Sequence, residues 1–301
     1  MEAWWLRNRY DAIISWAENL GIPFAFLQKA TFSKTPHVGI FSWITKPKKA
    51  FLLKLVRKQF SRIILMSSVQ RNAAMVKMRY DSSRVPLLRW PVDTKFWRPM
   101  DGQGDMICSV GREMRDYGTL IEALKEAEIP CHIAAGSFPG KKDEWLDAVK
   151  KPGALRPTLT IGKKTYFELR DLYARSRFVV MPILPTDTDN GTTSILEAMA
   201  MGKAVICSRV KGQADVIQEG KTGLFVPPHD PRALKNAILH LWNNPEIAKT
   251  MGIEGRKFVE QHHAIELWLD NVQSIVKSAV AEKRGVELQQ TAILSNGNWV
   301  A

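Results

Sequence analysis

The sequence predicts an α/β protein built on parallel, doubly wound sheets, and three observations carry that prediction. From about residue 106 onward, short apolar runs alternate with helix-length segments, and the connections are long enough for crossovers between parallel strands. The stretch 179–208, VVMPILPTDTDNGTTSILEAMAMGKAVICS, reads as strand, polar loop, helix and strand. A length of 301 residues favours two domains, with ample apolar material for a core in each.

Composition narrows the class. A hydrophobic fraction of 45% with 24% charged residues is that of an ordinary globular protein rather than a disordered or fibrous one. Three cysteines, Cys108, Cys131 and Cys207, are odd in number, widely spaced and set in apolar runs. That argues against a disulfide framework or a zinc site and for buried thiols in a reducing compartment. No apolar run approaches the roughly 18 residues of a membrane span. The opening MEAWWLRNRYDAIISW lacks the ordered cationic, apolar and cleavage regions of a signal peptide, so a cytoplasmic protein is expected. The net charge of +13 calls for nucleic acid, anionic lipid or an acidic substrate as partner, or serves solubility alone.

In chain order, Ala12–Ile14 and then Phe24–Leu27 after Pro23 are apolar runs of an α/β domain already under way, as if the chain began mid-domain. His37, in KTPHVGIFSW, lies beside a strand and is either a catalytic group or a structural one. Residues 46–62 carry basic side chains and no acids, with Phe51, Leu52, Leu55, Val56 and Phe60 at helical spacing. Such a helix packs on a sheet or lies against anionic lipid headgroups. No aromatic-interleaved basic platform accompanies it, which disfavours nucleic acid. Residues 63–66 form a strand, followed by a helix carrying Arg71. The stretch DGQGD reads as an inter-domain linker that puts the boundary near residue 104.

In the second domain, strands are expected at 106–110, 133–135, 159–161, 178–180, 205–206 and 224–226. Helices are expected at 143–150, 165–176, 193–201, 212–219, 231–243, 246–260 and 264–284, with a capping box at Thr119 and Glu122. Ligands of such a sheet bind beyond the carboxyl ends of the strands, where the loops at Gly111 and Asp189 both emerge. There the first-turn N–H groups of Thr192, Thr193 and Ser194 favour an anion, and Gly191 lets it approach the backbone. Asp189 and Glu197 flank that turn. Amides for phosphate and carboxylates for hydroxyls suit a nucleotide diphosphate sugar. The plainer alternatives are that Glu197 completes a capping box with Ser194, and that Asp189 is solvated.

These residues resemble the retaining glycosyltransferases of the GT-B fold, family 4 in particular. The signature of that family is two acids separated by seven residues, then L-E-A-M-A-x-G-x-P-V; here Asp189, Glu197 and LEAMAMGKAV stand in that register. Asp189 replaces the more usual Glu, and Ala204 the usual Pro. Trp90-Pro91-Val92-Asp93 through Phe96 and Pro99 is similar to the family's N-G-V-D-x-x-x-F-x-P exit from the first domain. Gly212 to Asp215 is similar to a later G-x-x-E block. Gly111, Arg112 and Gly118 match G-R-x-x-x-x-K-G, whose cations neutralise the departing diphosphate. Tyr117 occupies the lysine's place, and Arg115 is the candidate to replace it, since a guanidinium can clamp phosphate with two hydrogen bonds.

The resemblance implies two Rossmann-like domains: a partial, acceptor-side domain at 1–104, a nucleotide-sugar-binding domain at 105–263, and a crossover helix and tail at 264–301, with Trp268 packing on the first domain. It implies transfer of a sugar from a nucleotide diphosphate donor to an acceptor hydroxyl, with no cofactor. Arg112 and Asp189 carry the catalytic roles. Gly111, Arg115, Asn190, Gly191, Thr192, Thr193, Ser194 and Glu197 bind the donor, and His37 stands on the acceptor side. Asp187-Thr188-Asp189 spells the metal-binding D-x-D of another glycosyltransferase fold, but its place before this helix makes a metal site unexpected. The basic stretch 46–62 points to a lipid-linked or cell-surface glycan acceptor and to peripheral attachment at the inner face of the cell membrane. The rival from another class is a non-catalytic nucleotide-sugar-binding or scaffolding module left by the shortened first domain.

Overall fold

A computed structural model of the chain describes residues 2–135 and 157–285. The described residues fall into two units, one of those up to Arg89 together with those from Glu266, and one of those within Trp90–Ile265.

The first unit contains α1 (Glu2–Trp5), β1 (Ile13–Trp16), α2 (Glu18–Ala30), β2 (His37–Phe41), α3 (Pro47–Leu55), β3 (Arg62–Leu65) and α4 (Ser68–Met78). The strands form a parallel sheet in the order β1-β2-β3. Its core gathers Phe41, Leu53, Val56, Phe60, Leu65 and Met78. The Ser67 hydroxyl caps α4 by accepting from the Gln70 amide at 3.3 Å. Of the two apolar runs read there, Ala12–Ile14 leads into β1 and Phe24–Leu27 lies in α2, which carries Pro23 inside it.

The helix expected over 46–62 is shorter than its pattern promised, ending at Leu55. Leu53 and Val56 are buried, and Phe60 joins them from beyond the helix, whereas Phe51 is 61% exposed and Leu55 is exposed as well. The helical spacing of apolar residues therefore picks out Val56 and Phe60 correctly and misplaces Phe51 and Leu55, missing Leu53. Two and a half turns bury one narrow face, and the turn before β3 supplies the rest.

His37 also differs from its acceptor-side expectation. It is fully buried on the central strand, between Phe24 and Phe60, with Nε2 2.8 Å from the Ser15 hydroxyl. No solvent-borne acceptor reaches it there, and burial lowers its pKa to about 3.

The second unit contains β4 (Met106–Val110), α5 (Tyr117–Leu124), β5 (Cys131–Ala134), β6 (Leu159–Ile161), α6 (Tyr166–Arg175), β7 (Ser176–Met181), α7 (Thr192–Ala200), β8 (Ala204–Ser208), β9 (Gly223–Val226), α8 (Pro231–Asn243) and α9 (Pro245–His262). Its six parallel strands lie in the order β6-β5-β4-β7-β8-β9. Period-two alternation builds two cores from one sheet. Cys108, Val179, Val205 and Cys207 face α6, α7 and α9, while Ile107, Val180, Ala204 and Ile206 face α5 and α8.

Residues 90–104, read from sequence as the end of the first domain, pack within this second unit. Trp97 meets Tyr173 edge to face at 5.7 Å, and the Arg256 guanidinium donates to the carbonyls of Thr94, Trp97 and Ala200. The chain returns to the first unit in α10 (Ile265–Arg284), where Trp268 packs against Trp16. The helix expected at 212–219 is only a 3-10 turn, Lys211–Gln213. The helix expected at 143–150 and the tail after Gly285 lie outside the described residues. Among the described residues, no helix is long and apolar enough to cross a membrane.

His37 generates a stability prediction. Its folded pKa lies below the unfolded value, so its contribution is whole above about pH 6.5 and is lost as pH falls toward 3, by about 1.4 kcal/mol for each unit of difference actually traversed. Urea unfolding between pH 7 and pH 4 should show this slope, and His37→Gln should flatten it while lowering stability at pH 7.

Candidate functional site

The sheet order reverses between β4 and β7: β5 and β6 continue to one side, β8 and β9 to the other. In a parallel open sheet this leaves a crevice beyond the carboxyl ends of those two strands, because successive crossovers depart in opposite directions. The two loops that leave there are tied together. Arg115 pairs with Ile183 in an isolated antiparallel bridge, the Asp116 amide donates to Pro182 O at 2.9 Å, and the Leu184 amide to Met114 O at 3.0 Å.

Arg115 occupies the space between them. It is 7% exposed, donates from Nε to Val110 O at 2.8 Å and from Nη1 to Glu113 O at 2.7 Å. A Cβ on Gly111 would come within 2.2 Å of Nη2, and one on Gly191 within 3.0 Å of Nη1. Both glycines also hold positive φ, 101° and 93°, which a side chain disfavours. The guanidinium is thus a buried support beneath both loops rather than the outward clamp expected, and burial lowers its pKa. No carboxylate among the described residues lies within ion-pair distance of it.

Tyr117 explains the missing lysine. Its ring is fully buried and its hydroxyl donates to Gly111 O at 2.6 Å, closing the loop from below. Arg112, the next residue along, is exposed. The expected capping box at Thr119 and Glu122 is replaced by Asp116, which caps α5 by accepting from the Thr119 amide and also meets His229 Nδ1 at 2.7 Å.

The β7 loop is braced from the opposite side. A Cβ on Gly212 would collide with Thr188 O at 1.6 Å, so the 3-10 turn seats directly on the loop backbone. Gln213, fully buried, donates to Asn190 O at 2.8 Å and accepts from the Thr192 hydroxyl at 3.1 Å. The Thr192 amide donates to Asp189 O, and the Asn190 side chain to the Thr188 hydroxyl. Asn190 and the Thr192 side chain therefore hold the loop. Thr193 and Ser194 present the first-turn amides of α7, which have no carbonyl to bond within the helix.

Both carboxylates are oriented by aromatic donors. The helix begins after Gly191 with no side-chain cap, so Ser194 and Glu197 make no capping box. Glu197 instead accepts from the Tyr173 hydroxyl at 3.2 Å. Burial raises its pKa to about 7, against the lowering pull of that hydrogen bond and of Arg115. Asp189 accepts from the Trp90 indole N–H. The Trp90 carbonyl in turn accepts from His263 Nδ1 at 2.7 Å.

The structure thus brings Gly111, Arg112, Arg115, Asp189, Gly191 and Thr193 to Glu197 to one crevice, and leaves His37 in the first unit's core. The sequence reading missed Tyr173, Trp90 and Gln213 as partners of the site. Tyr173 repeats at core spacing in its helix, and Gln213 is an isolated amide, so neither carries a local signal. Trp90 stood out only as a departure from a pattern. Among the described residues, no group of three or more His, Cys, Asp or Glu side chains could hold a metal ion.

Residues 107–244 match the family model described as glycosyl transferases group 1. The D-rhamnosyltransferase WbpZ of Pseudomonas aeruginosa is 40% identical over 148 residues, 49% of this chain and 38% of that protein. The chain spans less than half the length of several other curated relatives as well. Among solved structures, sucrose-phosphate synthase from Thermosynechococcus elongatus aligns with a TM-score of 0.78 at 19% identity, covering 93% of this chain and 76% of that one. Anabaena HepE in complex with UDP aligns with the same TM-score at 14% identity, covering 92% and 81%. The fold is that of GT-B glycosyltransferases.

Glu197 carries a stability prediction of opposite sign to that of His37. Its folded pKa lies above the unfolded one, so its contribution is whole below about pH 4.5 and is lost as pH rises through about 7, again by about 1.4 kcal/mol per unit of difference. Denaturant unfolding should therefore show Glu197→Gln gaining stability relative to the parent at pH 8 and not at pH 4.5.

Proposed function

We propose that the chain is a retaining glycosyltransferase of family 4 that moves a sugar from a nucleotide diphosphate donor to an acceptor hydroxyl without a metal ion. One observation carries the reading: first-turn amides, a buried guanidinium lacking a carboxylate partner, and two oriented carboxylates meet at the crevice where the sheet order reverses. The diphosphate lies against the Thr193 and Ser194 amides and Arg112, with the Arg115 charge beneath it. Preorganised donors of this kind stabilise charge that develops on the leaving phosphate. Glu197 accepts from the ribose hydroxyls, and Asp189, held by Trp90, orients the donor sugar. The departing phosphate takes the acceptor's proton. Tyr117 adds no cation, so Arg112 and Arg115 share what an arginine and a lysine do in the family pattern.

A lipid-linked or cell-surface glycan is the acceptor class we favour, on the basic character of the first unit. The non-catalytic alternative draws no support from the crevice, where both acidic positions have dedicated hydrogen-bond donors.

Calorimetry with UDP-, GDP- and ADP-sugars, with free nucleotide release followed in parallel, tests the reading. One donor class should bind and be hydrolysed slowly; binding with no release, even with glycan and lipid acceptors added, would favour the non-catalytic module, and no binding would overturn the site. Release should survive EDTA. Glu197→Gln should weaken nucleotide binding about tenfold, the worth of a hydrogen bond to a charged group. In the parent, affinity should rise as pH increases through about 7, as Glu197 ionises, and the variant should lack that rise.

A further inference from the structure

The sequence from Asn19 to Tyr80 contains no aspartate or glutamate. In parallel βα units the ends of the helices and the starts of the next strands lie along the amino edge of the sheet. In the first unit that edge is stitched by four hydrogen bonds: the Thr35 hydroxyl to Arg7 O, Lys29 Nζ to Leu55 O at 3.0 Å, Arg57 Nη1 to Arg79 O, and Arg84 Nη2 to Phe60 O at 2.7 Å. The ends of α2, α3 and α4 therefore form one continuous margin. It carries exposed Lys29, Lys34 and Lys58 around exposed Leu27, Phe32 and Leu55. The nearby acids are engaged: Asp11 by Arg284, Glu282 by Arg62, and Asp81 by Ser83 beside Arg84.

Phe32 is the informative residue. Its φ is 52°, a left-handed conformation that a phenylalanine adopts at a cost, and its side chain is 89% exposed. Neither backbone preference nor burial accounts for an aromatic ring there.

We propose that this amino edge docks on an anionic lipid bilayer, with Phe32, Leu27 and Leu55 entering the headgroup region and the lysines resting on the phosphates. The chemistry is that of interfacial attachment, in which apolar side chains supply depth and cations supply attraction. The surface shares Leu55 and Lys58 with the stretch 46–62 and adds Leu27, Lys29, Phe32 and Lys34 from the end of α2 and the turn after it. It requires no donor chemistry, so it stands or falls independently of the proposed reaction.

The test is co-sedimentation of the full chain with vesicles of phosphatidylcholine alone and with about a third phosphatidylglycerol. The protein should pellet with the anionic vesicles, more weakly as salt rises. Lys34→Ser and Lys58→Ser should each weaken binding about fivefold, the equivalent of one headgroup-proximal cation. Phe32→Asn should weaken binding while leaving the thermal midpoint unchanged or raised, because asparagine adopts this φ more readily. That combination separates docking from a structural role. Failure to pellet, or variants that pellet as the parent does, would overturn the proposal. So would a single-stranded oligonucleotide binding at these lysines without vesicle binding, which would make the edge a nucleic-acid surface.

Discussion

The Arg115 guanidinium is the constraint on which the crevice depends. Two loops that leave adjacent parallel strands have no reason of their own to hold a shared shape, and here both are moulded around one planar cation. Val110 and Glu113 accept its hydrogen bonds through carbonyls, and no carboxylate among the described residues lies at ion-pair distance from it. Burying such a charge is costly. The fold accepts that cost at the carboxyl edge of the sheet, and the glycines at 111 and 191 are the space the guanidinium requires.

The two carboxylates are treated differently by their surroundings. Asp189 lies in a loop and is met by an indole N–H; Glu197 lies on a helix and is met by a phenol. An aromatic donor brings a rigid body with one polar atom, so it fixes a carboxylate without adding a counter-charge. Glu197 is left poised to titrate near neutrality, while Asp189 is anchored to the segment at Trp90 and through its carbonyl to His263. The supports come from α6 and from the segment before β4, which pack on one another through Tyr173 and Trp97.

The second unit was legible in the sequence because its signals are local. Strands of alternating apolar residues, glycines at the loop starts and the Asp189 to Glu197 block each declare themselves within a few positions. The site's supports were not legible, because Tyr173, Trp90 and Gln213 act across 24, 99 and 23 positions on Glu197, Asp189 and Asn190. The capping boxes mark the same boundary from the other side. Ser194–Glu197 and Thr119–Glu122 have the right spacing, yet Gly191 and Asp116 begin those helices, while the box that does form, Thr165 with Glu168, went unread. In the first unit, helical spacing at 46–62 failed because a short helix and the turn after it share the burial.

The three cysteines, placed by their apolar context, have a practical consequence. Cys108, Cys131 and Cys207 are all buried and free, and burial raises every one of their thiol pKa values. A thiol that is both shielded and protonated is a poor nucleophile. The folded chain is therefore silent toward maleimides and similar reagents as it stands. A fluorophore or spin label attached through one introduced surface thiol would report from that position alone, with every native cysteine left in its place in the sheet.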